Sequence, residues 1–293
     1  MSSQRTRISF DLSADPQVAA LINIALAEDL GEAGDVTSRA LLPSERTSVV
    51  MVAREACVPA GLTVAGMVFQ AVDPGLQLTP LVRDGEPVEA GAELLEITGS
   101  ALGVLSAERT ALNFAQRLSG IATLTRTYVE KVADLGTQIL DTRKTTPGWR
   151  LLEKYAVHCG GGVNHRCGLY DQVLIKDNHL AHWRRSTGRG IAEAVRAARD
   201  AAPGLLVEVE ADTLPQVERL LAAEPDWMLL DNMSFAEMTA AVEMCRGICK
   251  TEASGGITLD TLRGVAETGV DAISVGALTH SVRSVDLALD TVA

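Results

Sequence analysis

The sequence is short of several things that would place it quickly. Its 293 residues hold five cysteines, an odd number with no Cys-x-x-Cys pair, which argues against a disulfide framework and for a reducing, cytoplasmic setting. No apolar run reaches the roughly 18 residues a membrane span needs; even Leu205–Ala211 and Trp227–Asn232 carry acids. The stretch Met1–Gln17 has no long apolar core of a signal peptide. Basic charge is scarce: 26 Lys and Arg stand against 38 Asp and Glu, net −12. That excludes a general nucleic-acid binder, which needs a basic surface. Disorder is also excluded, because 47% of the residues are hydrophobic and only 22% charged.

Against this acidic background one stretch is basic. Between Leu135 and Leu180 lie Arg143, Lys144, Arg150, Lys154, Arg166 and Lys176, against Asp141, Glu153, Asp171 and Asp177, together with His158, His165 and His179. On counts alone this is a fluctuation or a local anion site, and position along the fold decides.

The first part of the chain reads as mixed. Pro16–Asp29 and Gly61–Val72 have helical apolar spacing, and Ala107–Val132 is a long helical pattern without proline. Thr47–Arg54, Leu76–Arg83 and Glu93–Thr98 read as strands. An antiparallel sheet carrying helices is expected. Asp84–Ile97 resembles the turns of lipoyl and biotinyl carriers, but no lysine lies between Arg54 and Lys131, so it is read as turn chemistry. After Gly136 short apolar strands alternate with helices: Gln138–Asp141, Gln172–Ile175, Leu205–Val209, Trp227–Leu230, Cys249–Glu252 and Ala272–Val275. Such repetition means a parallel sheet covered by helices. No Gly-x-Gly-x-x-Gly follows the first of these strands, so a small barrel is favoured over a dinucleotide-binding sheet. Two domains are expected, 1–115 and a barrel over 116–279, with 280–293 packing back on the first.

In such barrels chemistry gathers at the C-terminal strand ends. In order, these ends carry Asp141–Gly148, Lys176–His179, Glu208–Glu210, Asp231–Asn232, Glu252–Gly256 and Gly276–His280, and Gly160–Arg166 precedes the second. Early strands present cations, middle strands carboxylates and late strands glycine turns. Arginine and lysine bind phosphate and carboxylate. Two carboxylates facing phosphates suit Mg²⁺. Ser254-Gly255-Gly256 is read as opening onto a helix whose positive end holds a phosphate, with Gly276 making a similar contact. The implied ligand is a phosphorylated sugar with a second anion near the arginines. Other readings stay open. The cations and carboxylates could be surface pairs or helix caps. His158, Cys159, His165 and Cys167 could hold zinc, though their spacing matches no common pattern. Lys176 could form a Schiff base in a barrel lyase, or the barrel could bind a ligand without catalysis.

Several of these segments resemble one known family. Ser106–Asn113, Asp141–Gly148, Asn164–Arg166, Ile175–His179, Glu208–Glu210, Leu230–Asn232, Glu252–Ile257 and Val275–Ser281, with Glu28–Gly31 and Gly34–Thr37, are similar to the quinolinate phosphoribosyltransferases. The resemblance implies an α/β fold with an N-terminal α/β sandwich and a small, incomplete TIM-like barrel. It implies quinolinate and phosphoribosyl pyrophosphate as substrates, nicotinate mononucleotide, pyrophosphate and CO₂ as products in NAD biosynthesis, Mg²⁺ as cofactor, and a homodimer. A paralogue acting on another base is the neighbouring alternative. By the resemblance, Arg109 reaches the partner's site. Arg143, Lys144, His165, Arg166 and Lys176, with Thr142, hold quinolinate carboxylates and pyrophosphate. Glu210 and Asp231 hold Mg²⁺, directly or through water, and the ribose hydroxyls. Ser254, Gly255, Gly256, Val275, Gly276 and Ala277 bind the 5-phosphate with His280. Lys144, Lys176, Glu210 and Asp231 are the catalytic candidates. His182–Gly190 looks longer than the family's usual connection and is read as a solvated loop, with an extra anion contact as the alternative.

Overall fold

A computed structural model describes residues 8–42 and 44–292. The first seven residues of the stretch read above against a signal peptide lie outside them. The chain divides into two compact units, one of residues 9–126, 145–161 and 278 onward, the other of residues 127–144 and 162–277.

The elements begin with α1 (Pro16–Leu30), α2 (Val36–Leu41), β1 (Arg46–Ala53), α3 (Leu62–Val72), β2 (Gln77–Pro80), β3 (Glu93–Ser100) and α4 (Ala101–Lys131). Local chemistry sets their ends. The Asp15 carboxylate accepts the N–H groups of Gln17 (2.7 Å) and Val18 (3.3 Å) ahead of Pro16 in the first turn, a cap worth about 1 kcal/mol. α3 has no side-chain cap of its own. Distant Asp84 does that work, accepting from Gly61 N–H (2.9 Å) and Leu62 N–H (3.1 Å) and from the Tyr155 hydroxyl (2.7 Å).

The remaining elements are β4 (Gln138–Leu140), α5 (Arg150–Cys159), β5 (Val173–Ile175), α6 (Asp177–Thr187), α7 (Ile191–Ala201), β6 (Val207–Ala211), α8 (Leu214–Leu221), β7 (Trp227–Asp231), α9 (Phe235–Cys245), β8 (Lys250–Ser254), α10 (Leu259–Ala266), β9 (Ala272–Ser274), α11 (Ala277–His280) and β10 (Leu287–Thr291).

The first unit is built on an antiparallel sheet of order β10-β1-β3-β2. β1 lies between two partners, and Val49–Ala53 are all buried, not alternating as for a sheet with one wet face. α4 contributes Val104, Ala107, Ala111, Phe114, Leu118 and Ile121, all buried at helical spacing. Each large side chain there contributes about 1.5–3 kcal/mol of burial. The final strand enters through a clamp, in which Glu55 accepts both terminal nitrogens of Arg283 (2.9 and 2.6 Å) and the N–H of Asp286 (2.9 Å).

The second unit holds a parallel sheet of order β4-β9-β8-β7-β6-β5, and Val163 bridges Leu140 in parallel beyond it. Six strands with helices between them make an incomplete barrel. One expectation is corrected here. His182–Thr187 belong to helix α6, not to a loop. Lys176 N–H donates to His179 Nδ1 (2.9 Å) at its start, and Gly188 closes it in the left-handed conformation (φ 67°). Among the described residues no helix is long and apolar enough to cross a membrane.

Candidate active site

Register decides which side chains of the second unit meet. In a parallel pair, residues side by side share a face, and the face repeats every second residue. Glu208 pairs with Leu174 and with Trp227, Leu229 with Glu210 and Glu252, and Asp231 with Ser254. The same parity therefore carries Lys176, Glu210, Asp231 and Ser254 to one face at the C-terminal ends of four neighbouring strands. Below them on that face Leu140, Trp227 and Ala272 form an apolar floor with Val163 and Leu206.

Between floor and rim lies a buried polar layer that sequence reasoning missed. Glu208 and Glu252 are fully buried. His165 Nε2 is 3.1 Å from Glu208 Oε2 and 3.5 Å from Glu252 Oε2. Its Nδ1 accepts the Arg166 N–H (2.7 Å), so the ring proton sits on Nε2 and points at the carboxylates. Gln172 Nε2 also donates to Glu208 (2.6 Å). Asp141 accepts from His165 N–H (2.8 Å) and from Asn164 Nδ2 (2.7 Å). His165, expected at the substrate, is buried, and its hydrogen bonds fix the backbone from which Arg166 projects. Among the described residues, His165, Glu208 and Glu252 are the one histidine–carboxylate group with metal-ligand spacing. It contains no cysteine and not His158, so the zinc reading of that Cys/His set fails.

The cations stand apart from this buried layer. Arg143 is half-buried, and its Nε is buried without a hydrogen-bond partner among the described residues. Arg166 is half-buried, with Nη1 reaching only the Gln172 carbonyl (3.3 Å). Burial first, and the charge of Arg143 second, hold the Arg166 guanidinium below its ordinary pKa. Two guanidiniums therefore repel each other in a poorly hydrated place. Lys144 is exposed, its N–H held by Thr142 Oγ1 (3.1 Å). Lys176 Nζ is ion-paired with Glu210, and Asp231 accepts from Asn232 Nδ2 (2.7 Å).

The late strand ends supply a turn that tolerates little. Gly255 has φ +100°, and a Cβ there would lie 2.2 Å from Asn232 Oδ1 and 2.9 Å from Asn232 N. Gly256 has φ +57°, and a Cβ there would meet open space. A bare, left-handed backbone facing a void suits a phosphate cradle. The expected helix end is not adjacent. α10 starts only at Leu259, and its first turn is closed by Thr258 N–H donating to Thr261 Oγ1 (3.0 Å). Val275 is buried, with its N–H on the Leu140 carbonyl (2.9 Å), while Gly276 and Ala277 are half-buried. Arg109 and His280 fall in the first unit. Arg109 is exposed on α4, and His280 Nδ1 lies 2.6 Å from Ser281 Oγ.

Residues 35–119 match the quinolinate phosphoribosyl transferase N-terminal domain, and residues 121–290 the C-terminal domain of the same name. This chain belongs to the quinolinate phosphoribosyltransferase family. It is 45% identical to the carboxylating nicotinate-nucleotide pyrophosphorylase of Mycobacterium leprae, over 92% of this chain and 95% of that one. It is 42% identical to a probable carboxylating nicotinate-nucleotide pyrophosphorylase of Bacillus subtilis, over 94% and 93%. The solved nicotinate-nucleotide pyrophosphorylase of Francisella tularensis superposes with a TM-score of 0.91 at 38% identity, covering 99% of this chain and all of that one.

Within this quinolinate phosphoribosyltransferase the overlooked groups had one available signal. Glu208 and Glu252 each stand two residues before a rim residue, Glu210 and Ser254, inside a strand whose central residues are buried. An acid on the inward parity of a buried strand must have a buried partner. That partner, His165, comes from a loop, where periodicity says nothing.

Proposed function

We propose that this chain transfers the phosphoribosyl group of phosphoribosyl pyrophosphate to quinolinate with decarboxylation, giving nicotinate mononucleotide, pyrophosphate and CO₂. The carrying observation is the pair Arg143 and Arg166. Two half-buried guanidiniums that repel each other, one with a buried unpaired Nε, cost stability unless an anion completes them. A vicinal dicarboxylate offers one carboxylate to each.

The chemistry follows from placement. The pyridine nitrogen attacks C1 of the ribose while the C1–O bond to pyrophosphate breaks, its electron pair leaving with pyrophosphate. The ring, now cationic, accepts the electron pair of the C2–carboxylate bond as CO₂ departs, and a proton from water fills C2. Lys144 and Lys176 neutralise the leaving group by charge placed in advance. Gly255, Gly256 and Gly276, with Ser254, hold the 5-phosphate through backbone N–H groups. Glu210 and Asp231, oxygen donors at adjacent strand ends, fit a hard ion that keeps most of its waters. Bound there beside the ribose hydroxyls, Mg²⁺ would supply charge neutralisation to the diphosphate. No covalent nucleophile is needed; the protein's share is orientation and charge.

Arg109 is exposed and makes no ion pair among the described residues, which supports its completing the site of a second copy in a homodimer. The composition supports a cytoplasmic enzyme. The lyase reading is weaker, because a Schiff-base amine at Lys176 would have to give up the pair with Glu210.

The test is a product assay with phosphoribosyl pyrophosphate, Mg²⁺ and either quinolinate or nicotinate. Mononucleotide and CO₂ from quinolinate alone are expected, since nicotinate leaves one guanidinium unpaired. Product from nicotinate alone would overturn the base assignment.

A further inference from the structure

A pocket of about 230 Å³ opens beside the strand ends, between α6, the α6–α7 turn and α8. Its two helical walls follow helix spacing: Leu180, Trp183 and Arg184 from α6, and Gln216, Arg219 and Leu220 from α8. Arg189 and Ile191 close it from the turn. The segment that forms one wall is the stretch around Trp183–Gly190 noted as long for the family.

Three features define what fits. The Trp183 indole is pinned, its Nε1–H donating to the Gly190 carbonyl (3.0 Å), so a fixed aromatic face borders an otherwise aliphatic wall. Arg184, Arg189 and Arg219 are exposed, and none makes an ion pair among the described residues. Of the two acids present, Glu210 is neutralised by Lys176, leaving Asp177. The lining is therefore apolar in body and cationic at the mouth. Its size is below the 300–1,000 Å³ usual for larger ligands, which restricts the occupant to about one ring.

We propose that this pocket is an accessory site for a single-ring aromatic carboxylate, with the ring against Trp183 and the carboxylate among Arg184, Arg189 and Arg219. Neither Arg143 nor Arg166 lines it, and it meets the proposed phosphosugar site at Glu210. Stacking and bidentate guanidinium contacts are the two attractions.

Benzoate is the discriminating probe, because one carboxylate serves the accessory site but leaves a guanidinium unpaired at the other. The full-length protein is titrated with benzoate by calorimetry and by tryptophan fluorescence. Saturable binding of one benzoate per chain is expected, with quenching that disappears in Trp183→Phe. Affinity should fall by about tenfold or more in Arg184→Gln/Arg219→Gln, through loss of charge-assisted hydrogen bonds, and stay unchanged in Arg166→Ala. Arg184 and Arg219 are exposed, and circular dichroism checks that each variant keeps the fold. No saturable binding, or binding lost in Arg166→Ala and retained in Arg184→Gln/Arg219→Gln, overturns the proposal. Failure of the quinolinate reading would show separately, as absence of product in the assay above.

Discussion

The two ends of the parallel sheet use the same residue types for opposite purposes. At the N-terminal end Asp226 and Asp271 are closed. Asp226, just before β7, accepts the first N–H of β6 from Val207 (2.8 Å) and pairs with Arg199 (3.2 Å). Asp271, just before β9, does the same for β8, accepting from Thr251 N–H (2.9 Å) and pairing with Lys250 (2.5 Å). At the C-terminal end burial and the charge of Arg143 outweigh the acids Glu208 and Asp171, and hold the Arg166 guanidinium below its ordinary pKa. Strand ends alone do not make a site. What marks the functional end is charge that the fold places and does not satisfy.

The comparison breaks most visibly at the cations. Arg166→Ala should lower kcat/KM for quinolinate by about 10²–10³-fold, as loss of a preorganised charge donor does, with Tm unchanged or slightly raised because a repulsion is removed. An equal loss of Tm and activity would make Arg166 a structural residue. At the other end the pattern should invert. Asp226→Ala leaves the buried Val207 N–H without its acceptor, costing about 1–3 kcal/mol in urea unfolding, while kcat of the folded fraction is retained. Gly255→Ala should act between these. The added methyl must move Asn232 and adopt φ +100°, a strain of about 1–3 kcal/mol. A rise in KM for phosphoribosyl pyrophosphate larger than any change in KM for quinolinate would assign that turn to the phosphate.

Much of the second unit was legible because a parallel strand is a short apolar run and its helix an amphipathic one. What escaped lacks that pattern. α6 buries no residue, and its apolar positions Leu180, Ala181 and Trp183 are too few to stand out; its end signals are Asp177 in the first turn, Arg184 and Arg185 in the last, and Gly188 just beyond. The tail 280–293 was expected to return to the first unit, but β10 is short and its register beside β1 is a pairing across the whole chain, so the strand itself was not legible. At the site, the rim residues Lys176, Glu210, Asp231 and Ser254 could be read from strand ends, and register explains why they converge. The layer beneath could not, since the link from Asp141 to His165 to Glu208 joins a strand end, a loop and a strand interior. The glycine turn was legible as a turn but not as separate from a helix, because the cap Thr258 looks the same whether or not a phosphate sits before it.

The finest test of the closed end is pH. Asp134, in the turn before β4, accepts both terminal nitrogens of Arg263 (2.8 Å each), and that bidentate contact holds its carboxyl below the ordinary aspartate value. A depressed pKa means the folded state favours the ionised form. The pair's contribution is therefore full above the unfolded value of about 3.9 and is lost as pH falls through the lower folded value. Asp134→Asn should have a lower urea midpoint than the parent at pH 7, and the two curves should draw together below about pH 4. The pair is exposed, so the gap should also shrink in high salt. A gap that persists unchanged in acid would mean that the Asp134 charge contributes nothing and that shape alone matters there. The N-terminal end would then be closed by its buried N–H acceptors, Asp226 and Asp271, rather than by ion pairs.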